Sequence, residues 1–430
     1  MFFFGKSKRN DPKALRSGTV ERVPSRMFAI PSEAASSLNR ADLWKRLRDT
    51  DELTFGTIDQ PPFTVTYKGI EYTFDTADVE FGMEEDDSSL AALNDSEREI
   101  AVHSKTAFGV EIVFADNNMD SYHLQIKLLN MLVPDMAALF DSNAYRAHSG
   151  RWVRMTADSK VAPSPDYMYT IHAVNDSEGN TDSVWLHTHG LTRCGTIELE
   201  ILGADLNNWN DLGNSLNQIA HRLVGDNQFI DEMEPKLMGR TGDGRDIVVT
   251  WQRSEWSFKD FPKNTVGGPS DRNDEHSINM GVIYLYENEE DQMDGRITPI
   301  VKWADALSDN AVFFKTTSET QRMRALAQER ADWLRKLHDE LAEKQIIVKI
   351  GLKPDPDCGF DDEQFEYIWF EPTQFRDDSF TATLTQDAFY VSGMVKGVQR
   401  ECTYDEIVDW RVYTSDDVYS PDNIYKYTGD

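Results

Sequence analysis

The chain has 430 residues, of which 75 are acidic and 44 basic, so its formal net charge is −31. This length fits two or three domains, and a hydrophobic fraction of 40% with ten tryptophans excludes wholesale disorder. So large a negative charge repels nucleic-acid phosphates and anionic lipids, and it favours basic protein partners or simply solubility. We therefore expect binding to neither nucleic acid nor membrane.

The cysteines point to a reducing compartment. Cys194, Cys358 and Cys402 lie far apart and are odd in number, which argues against a disulfide framework. The phenylalanines at 2–4 precede Lys6, the reverse of the order in a secretory signal. No stretch approaches the ~20 apolar residues that span a bilayer. The sequence thus predicts a cytoplasmic protein.

Three domains are expected. Residues 1–100 read as an N-terminal extension and a small strand-rich segment, in which strands 62–67 and 70–74 flank a Lys68-Gly69 turn. Residues 101–310 read as a central domain and 311–430 as a small C-terminal domain with an acidic, aromatic tail.

The central domain mixes strands and helices without strict alternation. Apolar spacing predicts a helix at 122–140, kinked or divided by Pro134, and another at 209–223. The expected strands are 108–114, 166–174, 246–251 and 280–286. This order favours an α+β fold with antiparallel or mixed sheets and flanking helices over a doubly wound sheet.

The C-terminal domain shows the clearest helical pattern of the chain, at 316–344. A small antiparallel sheet should follow, with strands at 346–352, 365–371, 379–385, 393–398 and 407–413.

The stretch 184–202 is the best candidate for a chemical site. Two apolar strands joined by a glycine-flanked turn carry His187 and His189, whose side chains should share one face because strand side chains repeat every second residue. A divalent metal such as zinc could use both, and hydrolysis by an activated water would be its chemistry. The possible third ligands are His172, Cys194, Glu198 and Glu200.

Two simpler interpretations stay open. The sequence has neither a third ligand at a diagnostic spacing nor an HExxH motif. The two histidines can equally be interpreted as polar residues that line a cleft or as hydrogen-bonded residues of the sheet. Cys194 stands beside Arg193, which would lower its pKa and favour a thiolate nucleophile with His187 or His189 as base. The alternative for Cys194 is a small turn residue packed near the core.

Four short stretches of the last third carry a family resemblance. They are IIVKI at 346–350, EYIWF at 366–370, GMVKG at 393–397 and YDEIVDW at 404–410. Residues 318–414 thereby resemble the bacterial YegJ-like domain family of unknown function. The resemblance implies a small α+β domain and no established enzyme activity.

The middle of the chain resembles a second bacterial family of unknown function that often precedes the first. The residues that carry it are YTIHAV at 169–174, WLHTHGL at 185–191, Gly195 and ELE at 198–200. Such families are similar to proteins encoded near polymorphic toxins and other conflict systems. The resemblance implies that this acidic chain is a cytoplasmic protein that neutralises a toxin by binding it.

We therefore expect a bacterial protein that acts by binding a basic protein partner, as an immunity-type or accessory protein of a toxin or defence system. Its candidate partner-binding residues are Trp369, Trp410, Tyr413 and Tyr419. One alternative is a metal-dependent hydrolase centred on His187 and His189; another is a scaffold without activity. No catalytic signature is strong, and no cofactor is expected unless the metal alternative holds.

Overall fold

The computed structural model describes residues 15, 20–32, 43–58, 61–176, 182–272, 280–358 and 365–428. The chain divides into two compact units: unit 1 is Met1–Asp158 with Pro163–Lys315, and unit 2 is Ser159–Ala162 with Thr316–Asp430. The short segment 159–162 therefore interrupts unit 1 in sequence. Within unit 2, the backbone N–H of Lys160 donates to Glu329 Oε2 at 3.0 Å.

The first sheet of unit 1 is antiparallel, with the strand order β2-β3-β4-β5-β1-β6-β7. Phe63, Val65 and Tyr67 are buried while the threonines between them are half-buried, so this face packs on the core. The strands are β1 (Ser25–Ile30), β2 (Leu53–Phe55), β3 (Phe63–Tyr67), β4 (Ile70–Glu80), β5 (Thr106–Ile112), β6 (Ala138–Asp141) and β7 (Arg146–Ser149).

The helices beside this sheet whose bounds lie within the described residues include α1 (Asp95–His103), α2 (Asn118–Leu132) and α3 (Gly150–Asp158). The sequence predicted that the helix around α2 would reach residue 140, which is wrong. A proline disfavours helical backbone at the residue before it. Val133, which precedes Pro134, therefore leaves helical geometry and the helix ends at Leu132. Residues 138–141 then pair with β1 as a strand.

The second sheet of unit 1 has the order β15-β11-β12-β13-β10-β9-β8, and β14 pairs with β13. Only the β10–β13 pairing is parallel among the described strands. The strands are β8 (Thr170–Asn175), β9 (Ser183–His189), β10 (Glu198–Asp205), β11 (Lys236–Arg240), β12 (Asp246–Arg253), β13 (Met280–Tyr286), β14 (Thr298–Pro299) and β15 (Val312–Phe313).

The helices beside this sheet are α4 (Trp209–Gly225), α5 (Ser254–Ser257), α6 (Glu289–Asp294) and α7 (Ala304–Ser308). Helix α4 packs against β10 and buries one apolar stripe, which includes Leu212, Leu216 and Ile219. A separate cluster contains Trp185 and Val282, with the chain around Val266 packed against it. The turn at 240–245 joins β11 to β12.

Unit 2 contains one antiparallel sheet of order β19-β18-β17-β16-β20-β21. Its elements are α8 (Thr317–Glu329), α9 (Ala331–Glu340), β16 (Gln345–Leu352), β17 (Glu366–Phe375), β18 (Ser379–Leu384), β19 (Gln399–Thr403), β20 (Ile407–Tyr413) and β21 (Val418–Tyr419). The predicted α+β fold with several antiparallel or mixed sheets is confirmed.

Two predictions for unit 2 are wrong. The helix expected at 316–344 is two helices, because the backbone at Arg330 leaves helical geometry while its buried side chain donates to the Pro421 carbonyl at 2.6 Å. Residues 393–398 form turns, not a strand. Gly393 and Gly397 have φ angles of +78° and +90°, which an extended strand does not accommodate.

Among the residues that the structure describes, no helix has the length and apolarity needed to cross a bilayer.

A buried ion pair joins the two sheets of unit 1. Arg193, in the turn between β9 and β10, donates to both carboxylate oxygens of Asp141 at 2.9 and 2.8 Å, and both side chains are fully buried. The same guanidinium donates to Ser25 Oγ at 3.1 Å and lies over the Tyr122 ring, 5.1 Å from its centroid. The second sheet is therefore tied to the first by a charge that has no access to water.

We predict that Asp141→Asn lowers the free energy of unfolding by about 3–5 kcal/mol, because it leaves the Arg193 guanidinium buried without a countercharge. Asp246→Asn removes one partner of the exposed Arg240–Asp246 pair and should cost less than about 1 kcal/mol. Urea denaturation followed by tryptophan fluorescence measures both. Equal effects of the two substitutions would contradict the prediction, and adding Arg193→Met to Asp141→Asn should restore part of the loss.

Candidate functional site

Three histidines meet on one face of the second sheet, at its β8 edge. His172 of β8 lies directly opposite His187 of β9, and His187 and His189 point to the same side because they are two residues apart. One ring nitrogen from each of the three lies within 4.8 Å of the others. His187 is buried, whereas His172 and His189 are partly exposed, so solvent reaches one side of the cluster.

The spacing of these nitrogens is close to that of a metal centre. His187 Nε2 and His189 Nε2 are 3.1 Å apart. Zinc–nitrogen bonds of about 2.0–2.1 Å in tetrahedral geometry put two ligand nitrogens about 3.3 Å apart. A distance of 3.1 Å also fits one N–H···N hydrogen bond between the two rings. The third imidazole distinguishes this cluster from a simple pair.

His187 is held in place by its neighbours. The Trp185 ring lies 4.1 Å from the His187 ring, centroid to centroid, and its Nε1–H donates to the buried Glu200 carboxylate at 2.8 Å. Arg272 forms a 2.9 Å ion pair with Glu200 and covers the Trp185 ring. Any residue larger than glycine at position 267 would collide with Trp185, because a Cβ there would lie 2.5 Å from the Trp185 ring. His187 is thus fixed by packed partners around its ring.

The turn after His189 is also fixed. The Glu198 carboxylate accepts hydrogen bonds from the backbone N–H groups of Gly190 (2.9 Å) and Thr192 (3.1 Å) and from the Thr188 hydroxyl (2.7 Å). Burial raises the pKa of Glu198, and these three bonds act in the opposite direction. Of the four possible third ligands, the structure brings His172 to the pair, while Glu198 and Glu200 serve these other contacts.

Two residues beside the cluster were not found from the sequence. Tyr145, in the turn between β6 and β7, places its ring 4.9 Å from His189 and 6.2 Å from His172. Thr170 lies opposite His189 on the same face, and its buried hydroxyl makes no hydrogen bond within the described part of the chain. The β8–β9 register would have revealed Thr170. Tyr145 comes from the other sheet, and nothing in its local sequence signals this contact.

Cys194 does not have the environment of a nucleophile. It is buried in the turn between β9 and β10, and burial raises the pKa of its thiol to about 12, although the Arg193 charge acts to lower it. A thiol of that pKa is protonated at neutral pH. The observed position matches the alternative of a small residue packed in a turn.

The four aromatic residues predicted to bind a partner lie in different environments. Trp410 is fully buried and donates its Nε1–H to the Ala327 carbonyl at 3.3 Å, so it does not reach the surface. Trp369 is half-buried with Lys349 over its ring. Tyr413 is exposed, and Tyr419 packs against Tyr427.

We predict that native protein at about pH 8 is alkylated by iodoacetamide at Cys358 alone, because that thiol is exposed. Burial raises the pKa of Cys402 to about 11 and that of Cys194 to about 12, so both should stay unmodified until the protein is denatured. Peptide mass spectrometry locates the modification. Rapid labelling of Cys194 in folded protein would contradict this environment.

Comparison with known proteins finds domains of unknown function. Residues 25–163 match the model described as "Protein of unknown function (DUF4026) N-terminal", and residues 171–284 match "Protein of unknown function (DUF4026) C-terminal". No curated protein and no solved structure matches the chain. The YegJ-like resemblance of 318–414 and the link to toxin systems stay predictions. The chain carries the N-terminal and C-terminal domains of DUF4026, and the histidine cluster lies within the second of them.

Proposed function

We propose that this protein binds one divalent transition-metal ion, of the zinc class, through His172, His187 and His189. The observation that carries the proposal is the convergence of three imidazoles from two paired strands, with ring nitrogens within 4.8 Å. Imidazole nitrogen suits Zn²⁺, Cu²⁺, Ni²⁺ and Fe²⁺, whereas Mg²⁺ and Ca²⁺ prefer oxygen. No carboxylate joins the three imidazoles among the residues described.

The ligand set favours hydrolysis over a purely structural metal. Structural zinc sites are closed by four protein ligands, whereas catalytic sites keep a position for water. Three neutral imidazoles leave the full charge of the ion, which lowers the pKa of a bound water and supplies a nucleophilic hydroxide. Tyr145, which is 39% exposed, borders the cluster with a phenol, a group that can hydrogen-bond a substrate.

The supporting contacts of His187 fit the same proposal. Metal sites depend on outer groups that orient their ligands. The Trp185 ring, tilted against the His187 ring, and the Glu200–Arg272 ion pair behind Trp185 fix the orientation of His187. The immunity-type and scaffold roles rest on sequence features alone and stay predictions.

We predict that protein stripped with a chelator binds one Zn²⁺ per chain. Ala at 172, 187 or 189 should each weaken binding by more than about 100-fold, because loss of even an outer-sphere partner costs about 10–100-fold. His103→Ala, at an exposed histidine on α1, is the matched control and should bind as wild type. Competition with a chromophoric chelator measures the affinities, and circular dichroism verifies the fold.

A wild-type protein that takes up no zinc would leave the three histidines as hydrogen-bonded sheet residues and refute the proposal. Zinc that binds equally well to the His172, His187 and His189 variants would place the ion elsewhere.

Bound zinc should also raise the free energy of unfolding by about 2.7 kcal/mol at a free zinc concentration 100 times the dissociation constant.

We further predict that zinc-loaded protein hydrolyses p-nitrophenyl acetate or bis(p-nitrophenyl) phosphate faster than the zinc-free form. His189→Ala should reduce the zinc-dependent rate by more than about tenfold, and His103→Ala should not. Absorbance of released nitrophenolate is the readout. If the protein binds one zinc per chain but the two forms hydrolyse the substrates at the same rate, the proposed metal binding would stand and the proposed hydrolysis would be refuted.

A further inference from the structure

A second surface lies in unit 2, in the loop at 385–398 between β18 and β19. The backbone N–H groups of Phe389 and Tyr390 donate to the Glu366 carboxylate at 2.7 and 2.8 Å. The Asp355 N–H donates to the Tyr390 carbonyl, and the Asp355 carboxylate accepts from the Ser392 N–H, both at 2.8 Å. The loop is therefore anchored through its backbone, which leaves its side chains outside.

The anchored loop presents aromatic rings to solvent. Phe389 is 84% exposed and Tyr390 45%, and their ring centroids are 6.4 Å apart. Phe365 and Tyr367 are also exposed, but they lie over Gly351, on the opposite face of the sheet from the Glu366 carboxylate that anchors the loop. We call Phe389 and Tyr390 the aromatic surface. Two neighbouring rings held in solvent by an anchored backbone supply apolar contact area for a partner.

The charges beside the aromatic surface are mainly negative. Its anchoring contacts and the adjoining turns contribute more acidic than basic residues, namely Asp355, Asp357, Glu366 and Asp387 against Lys353 and Lys396. Bonds from Ser392 lower the pKa of the Asp355 carboxyl, which keeps it ionised at neutral pH. Residues 316–430 as a whole hold 24 acidic and 13 basic side chains, so the surrounding field is also negative.

We propose that the aromatic surface is the docking site for a Lys- or Arg-rich segment of a protein partner. Cationic side chains are attracted to the faces of aromatic rings, and their methylene stems cover apolar surface while the charged ends reach nearby carboxylates. A nucleic acid or an anionic membrane would be repelled by the same charges. This proposal concerns a different unit from the histidine cluster and does not depend on it.

The test is a fluorescence anisotropy titration of zinc-free protein with a labelled peptide of alternating lysine and alanine. Wild type should bind the peptide, and binding should weaken as salt is added, because the attraction is partly screened. The F389S/Y390S variant should bind about tenfold more weakly or worse, since aromatic anchors dominate such interfaces. Its loop should stay folded, because the anchors to Glu366 are backbone groups.

Tyr367→Ser is the matched control, since Tyr367 is 48% exposed and lies on the opposite face of the same sheet from Glu366. This variant should bind the peptide as wild type does, and a peptide with glutamate in place of lysine should not bind. The proposal is overturned if wild type fails to bind the lysine peptide, if F389S/Y390S keeps full affinity, or if Tyr367→Ser loses as much. None of these outcomes bears on zinc binding.

Discussion

The ion pair between Arg193 and Asp141 sets the geometry on which the candidate site depends. Burying two charges is costly unless they meet in good geometry with further hydrogen bonds, and here the two terminal guanidinium nitrogens both donate to one carboxylate. Asp141 precedes Tyr145 by four residues, and His189 precedes Arg193 by four. The pair that joins two sheets therefore also places the Tyr145 phenol against the His189 ring. A contact outside the site determines which residues border it.

Negative charge has a different consequence in each unit. In unit 1 the three imidazoles lie together without a carboxylate among the described residues. Selectivity among cations would therefore come from the preference of a metal ion for imidazole nitrogen. The overall charge of −31 raises the local concentration of any cation. In unit 2 carboxylates lie beside exposed rings, which suits an organic cation attached to a flexible stem. One composition thus supports two kinds of recognition.

Local pattern predicted much of this fold. The strands at 280–286 and 407–413 were located to the residue, since short apolar or alternating runs bounded by turn residues have few alternatives. Residues 138–140 continued a helical apolar pattern but pair with β1, a distant partner that local spacing does not encode. The same limit applies to the site. The period of two placed His187 and His189 on one face, whereas choosing His172 required the β8–β9 register, and Tyr145 required the packing of two sheets.

The segment Ser159–Ala162 belongs to unit 2 although the chain on both sides of it belongs to unit 1. The polypeptide therefore passes from one unit to the other three times, near residues 158, 162 and 315. No single cleavage therefore separates the chain into its two units. A fragment that begins at residue 316 lacks Lys160, whose backbone N–H donates to the Glu329 carboxylate. A fragment of unit 2 that is meant to keep its own contacts must therefore carry residues 159–162 as well as residues 316–430.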